Sequence, residues 1–346
     1  MWQQFVRVLL STAGAALVAA WLIILLVDPL GISPIGVLGG SVPTEANRRF
    51  VVPLVVRSGD YDSYLVGTST LHHVAPAVVE KQLGGHFANV AIHGSTPYEQ
   101  RRVLELVFRQ LVTPKMIVHG IDTRWCLPQQ PRYHPESPLP EWLYDDDLVG
   151  HLTHVLNGRM LTLVFKRLSF AVGLREPDVD PSGYRNDLKD DSTWTAESAR
   201  SRLWAASTIH VQNKAALQAG DMQVEEGRFP ELDALDDLLE VASPRTTLMF
   251  VMMPLHIAAL PEEGSDRAAM LTACKQRMKE LARARNAIAV DYLYPSDLTR
   301  SDIHFWDHDH TRISFTERLA DDLAAALQGK RRADDGSWTT ITAAGS

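Results

Sequence analysis

The chain has 346 residues, of which 45% are hydrophobic, and a formal net charge of −8. This length and apolar share fit one large domain or two small ones with a full core. The acidic balance argues against a nucleic acid partner, because nucleic-acid-binding proteins need a basic surface to displace counterions from phosphates. The sequence also has no internal repeats and no long basic run. We therefore expect a globular protein that does not act on nucleic acid.

The first pattern in the chain is an uncharged apolar run over residues 8–27, VLLSTAGAALVAAWLIILLV. Twenty such residues let an α-helix cross a hydrocarbon core about 30 Å thick. A cleaved signal peptide would have a shorter apolar region and a small-residue cleavage site, so the run favours an uncleaved anchor over residues 1–28. Arg7 precedes the run, and the next basic residues are Arg48 and Arg49. The positive-inside rule thus predicts a single-pass inner-membrane protein with a cytoplasmic N-terminus and a periplasmic main domain.

After a linker rich in Pro and Gly at residues 29–60, short apolar runs alternate with helical periods. The predicted strands are 63–67, 87–92, 115–121, 246–253 and 287–293, and the predicted helices are 75–83, 98–111, 265–285 and 314–328. This alternation indicates a doubly wound α/β fold, in which helices cover both faces of a mostly parallel sheet. Ligands of such sheets bind beyond the carboxyl ends of the strands. Each strand end is therefore a place to look for functional residues.

Residues 123–244 interrupt the alternation and are predicted to form a long insertion after the third strand. The segment is rich in Trp, Tyr, Pro and Asp, with a helical pattern over 160–173. Loops of this length are uncommon unless they are functional or disordered, and both a pocket-covering role and a purely structural subdomain stay open. The α/β domain is predicted to span residues 61–328, and residues 329–346 are predicted to be a disordered tail.

The two cysteines, Cys126 and Cys274, fit an extracytoplasmic protein that holds one disulfide or none. Their spacing does not decide between these states. Cys274 also lies in an apolar stripe of the predicted helix 265–285, together with Met270, Met278 and Leu281. A stripe of this kind indicates core packing before any other role.

Polar residues follow each of the first three predicted strands. Ser69, in GTST, lies on the first turn from strand to helix, where its hydroxyl faces the sheet edge, although serines there are also common helix caps. Gly94, in AIHGS, follows the second strand and allows close approach of a backbone N–H to a ligand. Asp122 and Arg124, in GIDTR, follow the third strand, where Asp122 equally fits the cap of an irregular loop.

The segment HFWDHDHTR at residues 304–312 is dense in histidine and aspartate. A metal site requires three or four converging ligands, but neighbouring residues on an extended segment point in opposite directions. A catalytic triad requires only one carboxylate and one imidazole that reach a serine, and Asp307 and His310 supply them. His304 and His308 are alternative bases in the same segment.

In their order along the chain, these residues resemble the SGNH/GDSL hydrolase superfamily, and within it a membrane-anchored bacterial branch. The resemblance rests on GTST, AIHGS and FWDHDHTR and covers residues 60–125 and 245–328. It implies a flavodoxin-like three-layer sandwich. It also implies that Ser69 is the nucleophile, that Asp307 and His310 form the charge-relay pair, and that the backbone N–H groups of Ser69 and Gly94 belong to the oxyanion hole.

Asp122 departs from the family pattern, which has an asparagine whose amide donates to the oxyanion. An ionised carboxylate cannot donate and would repel the developing negative charge. Three explanations stay open: Asp122 is protonated, it orients a donor such as Arg124, or the matching position lies elsewhere.

The resemblance implies a serine esterase or O-acyltransferase, with acetyl as the expected group, that acts on cell-envelope or exported polysaccharides. No cofactor and no metal are expected, and Arg124, His256 and His72 are the candidate substrate contacts. A membrane-bound partner that donates the acyl group is compatible with this role. Two alternatives remain: a non-catalytic glycan-binding or assembly protein with a degenerate SGNH fold, and a metal-dependent hydrolase that uses the cluster at residues 302–310.

Overall fold

The computed structural model of the chain describes residues 1–38, 47–128, 130–177, 179–185, 191–204 and 228–342. These residues divide into two compact units, and each is described by itself. Unit 1 consists of Met1–Asp60 and Pro140–Gly183, and unit 2 consists of Tyr61–Leu139 and Tyr184–Ser346. The predicted insertion is therefore divided between the two units, with its first helices in unit 1.

The α-helices are α1 Trp2–Val27, α2 Arg48–Arg57, α3 Ser69–His72, α4 Pro76–Leu83, α5 Pro97–Gln110, α6 Leu148–His154, α7 Gly158–Ala171, α8 Ala196–Leu203, α9 Pro230–Leu238, α10 Asp266–Ala284, α11 Asp297–Arg300 and α12 Phe315–Leu327. The strands are β1 Ser63–Val66, β2 Phe87–Asn89, β3 Met116–Ile121, β4 Thr247–Met252, β5 Ile288–Asp291 and β6 Thr339–Thr342. Short 3₁₀ turns follow several elements, at Thr123–Cys126, Glu141–Leu143, Asp191–Thr193, Leu239–Val241 and Asp302–His304.

Unit 2 is built on a six-stranded sheet of order β2-β1-β3-β4-β5-β6. The first five strands are parallel, and β6 is antiparallel to β5. The predicted mixed α/β fold with a mostly parallel sheet is thus confirmed. Because β2 and β3 lie on opposite sides of β1, the winding direction reverses beside β1, and ligands of such sheets bind at the strand ends next to this reversal.

Helices cover both faces of this sheet. One face carries Leu65, Val118, Met249 and Val290, which pack into a core with side chains of α4 and α12. The opposite face is joined to α5 and α10 through polar contacts: His119 of β3 bonds Gln100 of α5 (Nε2 to Oε1, 2.9 Å), and Lys275 of α10 donates to Asp291 of β5 (2.7 Å). Alternate residues of each strand point to opposite faces, which explains why all but one of the strand residues of β1–β5 are buried.

The nine strands and helices predicted from the alternating pattern all lie within a few residues of observed elements. Two other predictions are wrong. The linker at residues 29–60 contains α2, whose apolar residues are buried in unit 1, with Asn47 as its N-cap. The predicted disordered tail forms β6, where Trp338 is fully buried against the main core and Thr342 donates to the carbonyl of Ala287 (2.8 Å). Residues 343–346 lie outside the described residues.

Unit 1 begins with α1, which is long and apolar enough to cross a membrane. Only its last residues, among them Ile24, Leu25 and Val27, are buried against the rest of the unit. The indole N–H of Trp21 donates to the carbonyl of Leu152, which lies in α6 (2.9 Å).

Unit 2 contains a disulfide between Cys126 and Cys274, with Cα atoms 5.4 Å apart. Cys126 ends the 3₁₀ turn after β3, and Cys274 lies on the buried stripe of α10 with Met278 and Leu281. The stripe predicted on this helix is confirmed except at Met270, whose place in the core is taken by Leu271.

Candidate active site

Ser69 is the first residue of α3, directly beyond the end of β1. Thr68 precedes it in an extended conformation, and the carbonyl of Thr68 accepts from the N–H groups of Leu71 and His72. The N–H groups in the first turn of a helix have no acceptor within the helix, so the N–H of Ser69 is available to a ligand. The side chain of Leu71 in α3 packs directly against Gly120 of β3. A Cβ at position 120 would lie 2.7 Å from that side chain, so this contact requires glycine.

Asp307 and His310 lie on a closed turn that precedes α12. The Oδ1 atom of Asp307 accepts from the N–H groups of Asp309 and His310, at 2.9 Å each. The N–H of Trp306 donates across the turn to the carbonyl of His310 (2.9 Å). This local network holds the carboxylate and the imidazole in a defined relation before any substrate binds.

The structure brings three predicted residues into one hydrogen-bonded chain. The Nδ1 atom of His310 lies 2.9 Å from Oδ1 and 3.0 Å from Oδ2 of Asp307. The Nε2 atom of the same ring lies 2.8 Å from the Oγ of Ser69, which is 241 residues away in sequence. With the proton of a neutral imidazole on Nδ1, Nε2 can accept the serine proton. The arrangement has the geometry of a serine nucleophile, a base and an orienting carboxylate.

The two charged partners of this chain shift each other's pKa. Burial alone would raise the pKa of Asp307, but the His310 bond, the imidazolium charge and two backbone N–H groups outweigh it and lower the pKa to about 2. Burial alone would lower the pKa of His310, but the bond to Asp307 and its charge outweigh it and raise the pKa above its ordinary value. Asp307 therefore stays ionised in the neutral range, where it stabilises the protonated form of His310.

Gly94 lies on the loop after β2 with a φ of 60°, a left-handed conformation that favours glycine. The ring of His134 packs against Gly94. A Cβ at Gly94 would lie only 3.1 Å from that ring. Arg124 fixes the same loop, since its Nη1 donates to the carbonyls of Gly94 (2.9 Å) and Ser95 (3.1 Å). Arg124, predicted to contact substrate, thus has its guanidinium bound to the glycine loop.

Asp122 serves as a hydrogen-bond acceptor at the end of β3. Its carboxylate accepts the N–H of Arg124 (2.9 Å) and the hydroxyl of Thr68, the residue before Ser69. Burial raises its pKa, against the effects of Arg124 and of these two bonds. Asp122 is therefore the N-cap of the turn at Thr123–Cys126 and links that turn to the serine turn. Its bond to Arg124 is to the backbone N–H, whereas the Arg124 guanidinium bonds the glycine loop.

The remaining histidines predicted near the site lie in other surroundings. His256 is fully buried: its Nε2 lies 3.1 Å from Asp302, and its Nδ1 accepts from the N–H of Ala258 (3.2 Å). Both ring nitrogens are thus bound to protein groups rather than directed at a ligand. His72 is buried edge-on against His93, with ring centroids 4.0 Å apart.

The two alternative bases also have positions of their own. His308 pairs with Asp309 (3.2 Å), a bond that raises its pKa despite partial burial. Burial lowers the pKa of His304, and the nearby arginines lower it further. Of the histidines at 304, 308 and 310, it is His310 whose ring hydrogen-bonds Ser69.

Two further features belong to the surroundings of His310. His73 is buried beside His310, with ring centroids 6.2 Å apart, and burial followed by the charge of His310 lowers its pKa to about 4. His73 is thus neutral at neutral pH and does not compete with His310 for a proton. Its position four residues after Ser69 on a helical start is the only signal that the sequence contains.

The second feature is the segment 194–202, whose side chains hydrogen-bond the backbone just before Asp307. Trp194 donates its indole N–H to the carbonyl of Phe305 (3.0 Å), and Arg202 donates to the carbonyl of Trp306 (2.7 Å). These are the two peptide groups immediately before Asp307. Trp194 and Arg202 lie in the predicted insertion, and no local pattern marks them as partners of a loop a hundred residues away.

Within the described ranges, no group of three His, Cys, Asp or Glu residues is placed to hold a metal ion. The side chains of the cluster at residues 302–310 instead form separate pairs: Asp302 with His256, Asp307 with His310, and His308 with Asp309.

Comparison with protein-family models and with curated proteins finds no match to this chain.

Proposed function

We propose that this protein is a membrane-anchored serine esterase or O-acyltransferase that acts on acyl esters of cell-envelope or exported glycans. The observation that carries the proposal is the chain of hydrogen bonds from Asp307 through His310 to Ser69. Its position at the carboxyl end of β1, beside the reversal of winding, is where ligands of such sheets bind. The anchor helix and the disulfide favour a periplasmic main domain, because disulfides persist in oxidising compartments.

The proposed reaction has two steps at Ser69. The Oγ of Ser69 attacks the ester carbonyl carbon while His310 takes the hydroxyl proton on Nε2, and His310 then returns that proton to the departing alkoxide. In the second step His310 takes a proton from water or a glycan hydroxyl, whose oxygen attacks the acyl carbon. The bond from that carbon to Oγ then breaks, His310 returns the proton to the Oγ of Ser69, and the free acid or the new ester leaves. The N–H groups of Ser69 and Gly94 are the proposed donors to the oxyanion, because Asp122 accepts hydrogen bonds rather than donating them.

A fluorophosphonate probe tests the proposal on the full-length protein in detergent. We expect it to label the parent covalently, because the probe reacts with serines activated by a neighbouring base. Ser69→Ala and His310→Ala abolish labelling, whereas His308→Ala retains it, because His308 lies in the same turn but bonds Asp309 instead of Ser69. Absence of labelling in a folded parent, or an equal loss of labelling in all three variants, contradicts the proposal. Either result favours a protein that binds glycans without turnover.

The pH dependence of ester hydrolysis provides a second prediction. His310 must be neutral to accept the serine proton, and its pKa is raised because the bond to Asp307 and its charge outweigh burial. We expect kcat/KM to fall on acidification through a pKa higher than that of an ordinary histidine, and to stay high at more alkaline pH. The measurement is a pH–rate profile with an aryl acetate between pH 5 and 9. An acidic limb below pH 6 would contradict the assignment of His310 as the base.

A further inference from the structure

Helices α6 and α7 of unit 1 leave an apolar surface uncovered. Eight large apolar side chains are exposed between residues 148 and 174, whereas the described part of unit 2 exposes four. One face of α7 carries the longest row, at helical spacings of four, three and four. We call this row the apolar face of α7: Leu161, Phe165, Leu168 and Val172. A second side of α7 is buried within unit 1 and carries Met160, Leu163, Val164 and Arg167.

The polar atoms on or beside the apolar face are already satisfied within the helix. The hydroxyl of Thr162 donates to the carbonyl of Gly158 (3.2 Å), and that of Ser169 donates to the carbonyl of Phe165 (2.8 Å). Contact with hydrocarbon therefore leaves neither hydroxyl without a hydrogen bond, which is the condition for placing such groups in a membrane.

The contacts of α6 and α7 with α1 fix the depth of these two helices relative to the C-terminal end of α1. Trp21 of α1 donates to the carbonyl of Leu152, and Met160 of α7 lines a small cavity with Ile24 of α1. At 1.5 Å per residue, Trp21 lies about 9 Å before Val27, the end of the helix. One leaflet of the hydrocarbon core is about 15 Å thick. If α1 spans the membrane, its contacts with α6 and α7 lie within the leaflet that contains its C-terminal end.

The exposed charged residues of α6 and α7 are basic. Residues 148–175 contain four Lys or Arg residues and no Asp or Glu, in a chain with a net charge of −8. Arg159 and Arg175 are exposed and Lys166 is half-buried, whereas Arg167 is buried and donates to the carbonyl of Leu38 (2.7 Å). Three aspartates, at 145–147, directly precede this stretch. Basic residues beside an apolar helical face are typical of helices that lie in the headgroup region of anionic bilayers.

We infer that the apolar face of α7 is embedded in the leaflet at the C-terminal end of α1, with anionic phospholipid as its partner. The apolar surface of α1 then continues into that of α7, and unit 1 is held to the bilayer by a surface-lying helix as well as by a spanning one. The inference depends on α1 spanning the membrane and is independent of the proposed esterase activity.

Site-directed spin labelling of the full-length protein tests this placement in vesicles of phosphatidylethanolamine with a minority of phosphatidylglycerol. The native cysteines are bonded to each other and do not react with the label without a reductant. Three separate variants carry the nitroxide: Phe165→Cys on the apolar face, Leu17→Cys on α1, and Glu263→Cys on an exposed loop of unit 2. For each, collision rates with oxygen, which concentrates in lipid, and with a water-soluble nickel chelate are measured.

We expect the ratio of oxygen to nickel collisions at positions 17 and 165 to exceed that at position 263 severalfold. A lipid-like ratio at 17 with a water-like ratio at 165 overturns the inference and leaves the anchor intact. Water-like ratios at both positions overturn the inference together with the membrane-spanning role of α1. An immobilised label at 165 that neither reagent reaches means that protein, such as a second copy of the chain, covers the face, and this also overturns the inference.

Discussion

Asp307→Asn is expected to lower kcat for ester hydrolysis by about four orders of magnitude, the effect of the same change in well-studied serine triads. The amide can keep the loop intact, because its oxygen still accepts the N–H groups of Asp309 and His310. What it removes is the negative charge beside Nδ1 and one of the two acceptors there, because an NH2 group replaces the Oδ2 atom that lies 3.0 Å from Nδ1. Without them the Nε2 atom is no longer held as an acceptor for the Ser69 proton.

Asp309→Asn is the matched control for this change. Asp309 lies in the same turn and pairs with His308, while no hydrogen bond joins it to the His310 ring among the described contacts. We expect its kcat to stay within a few fold of the parent. Thermal midpoints of both variants are measured alongside the rates, so that unfolding is not mistaken for loss of chemistry.

The residual activity of Asp307→Asn carries a second signature. The carboxylate raises the pKa of His310, so its removal lowers that pKa and moves the acidic limb of kcat/KM to lower pH. Equal losses in the Asp307 and Asp309 variants would mean that the turn contributes only general electrostatics, and an unmoved limb would mean that Asp307 does not act on His310. The Ser69–His310 contact alone would then be a poor basis for the proposed function.

Local patterns in the sequence were sufficient for most of the fold of unit 2. The buried strands are short apolar runs, and α5 begins at Thr96 with Pro97 next and Glu99 completing a capping box, a start signal that is visible in the sequence. The D-x-x-H spacing also contains real structural information. Asp307 closes its own turn onto the backbone of His310, so three residues are enough to define the pair.

Features that depend on distant contacts were not predictable in this way. β6 lies in a polar segment with few apolar residues, and it is ordered because it pairs with β5 while Trp338 enters the core. The role of Asp122 as an acceptor depends on Thr68, which is 54 positions earlier and adjacent only across the sheet edge. Single-sequence reasoning has no access to such pairs, because either partner alone is an ordinary turn residue.

Removal of the disulfide by the double change Cys126→Ala and Cys274→Ala is expected to cause the largest loss of stability. The bond joins residues 148 positions apart, and the loop-closure estimate for such a separation is about 5 kcal/mol of unfolding free energy. It connects the turn after β3, which also contains Arg124, to the buried stripe of α10. A cross-link between these elements restricts the unfolded chain over the whole of β4 and α9.

The measurement is the thermal midpoint of the full-length protein in detergent, for the parent and the double variant, each with and without reductant. For a unit of the size of unit 2, which contains the disulfide, 1 kcal/mol shifts the midpoint by about 2–4 °C, so we expect a decrease of about 10–20 °C. Reductant should lower the thermal midpoint of the parent toward that of the variant. It should leave the midpoint of the variant unchanged, because the variant has neither cysteine. A parent that does not respond to reductant and has the same midpoint as the variant would show that the two thiols are not joined.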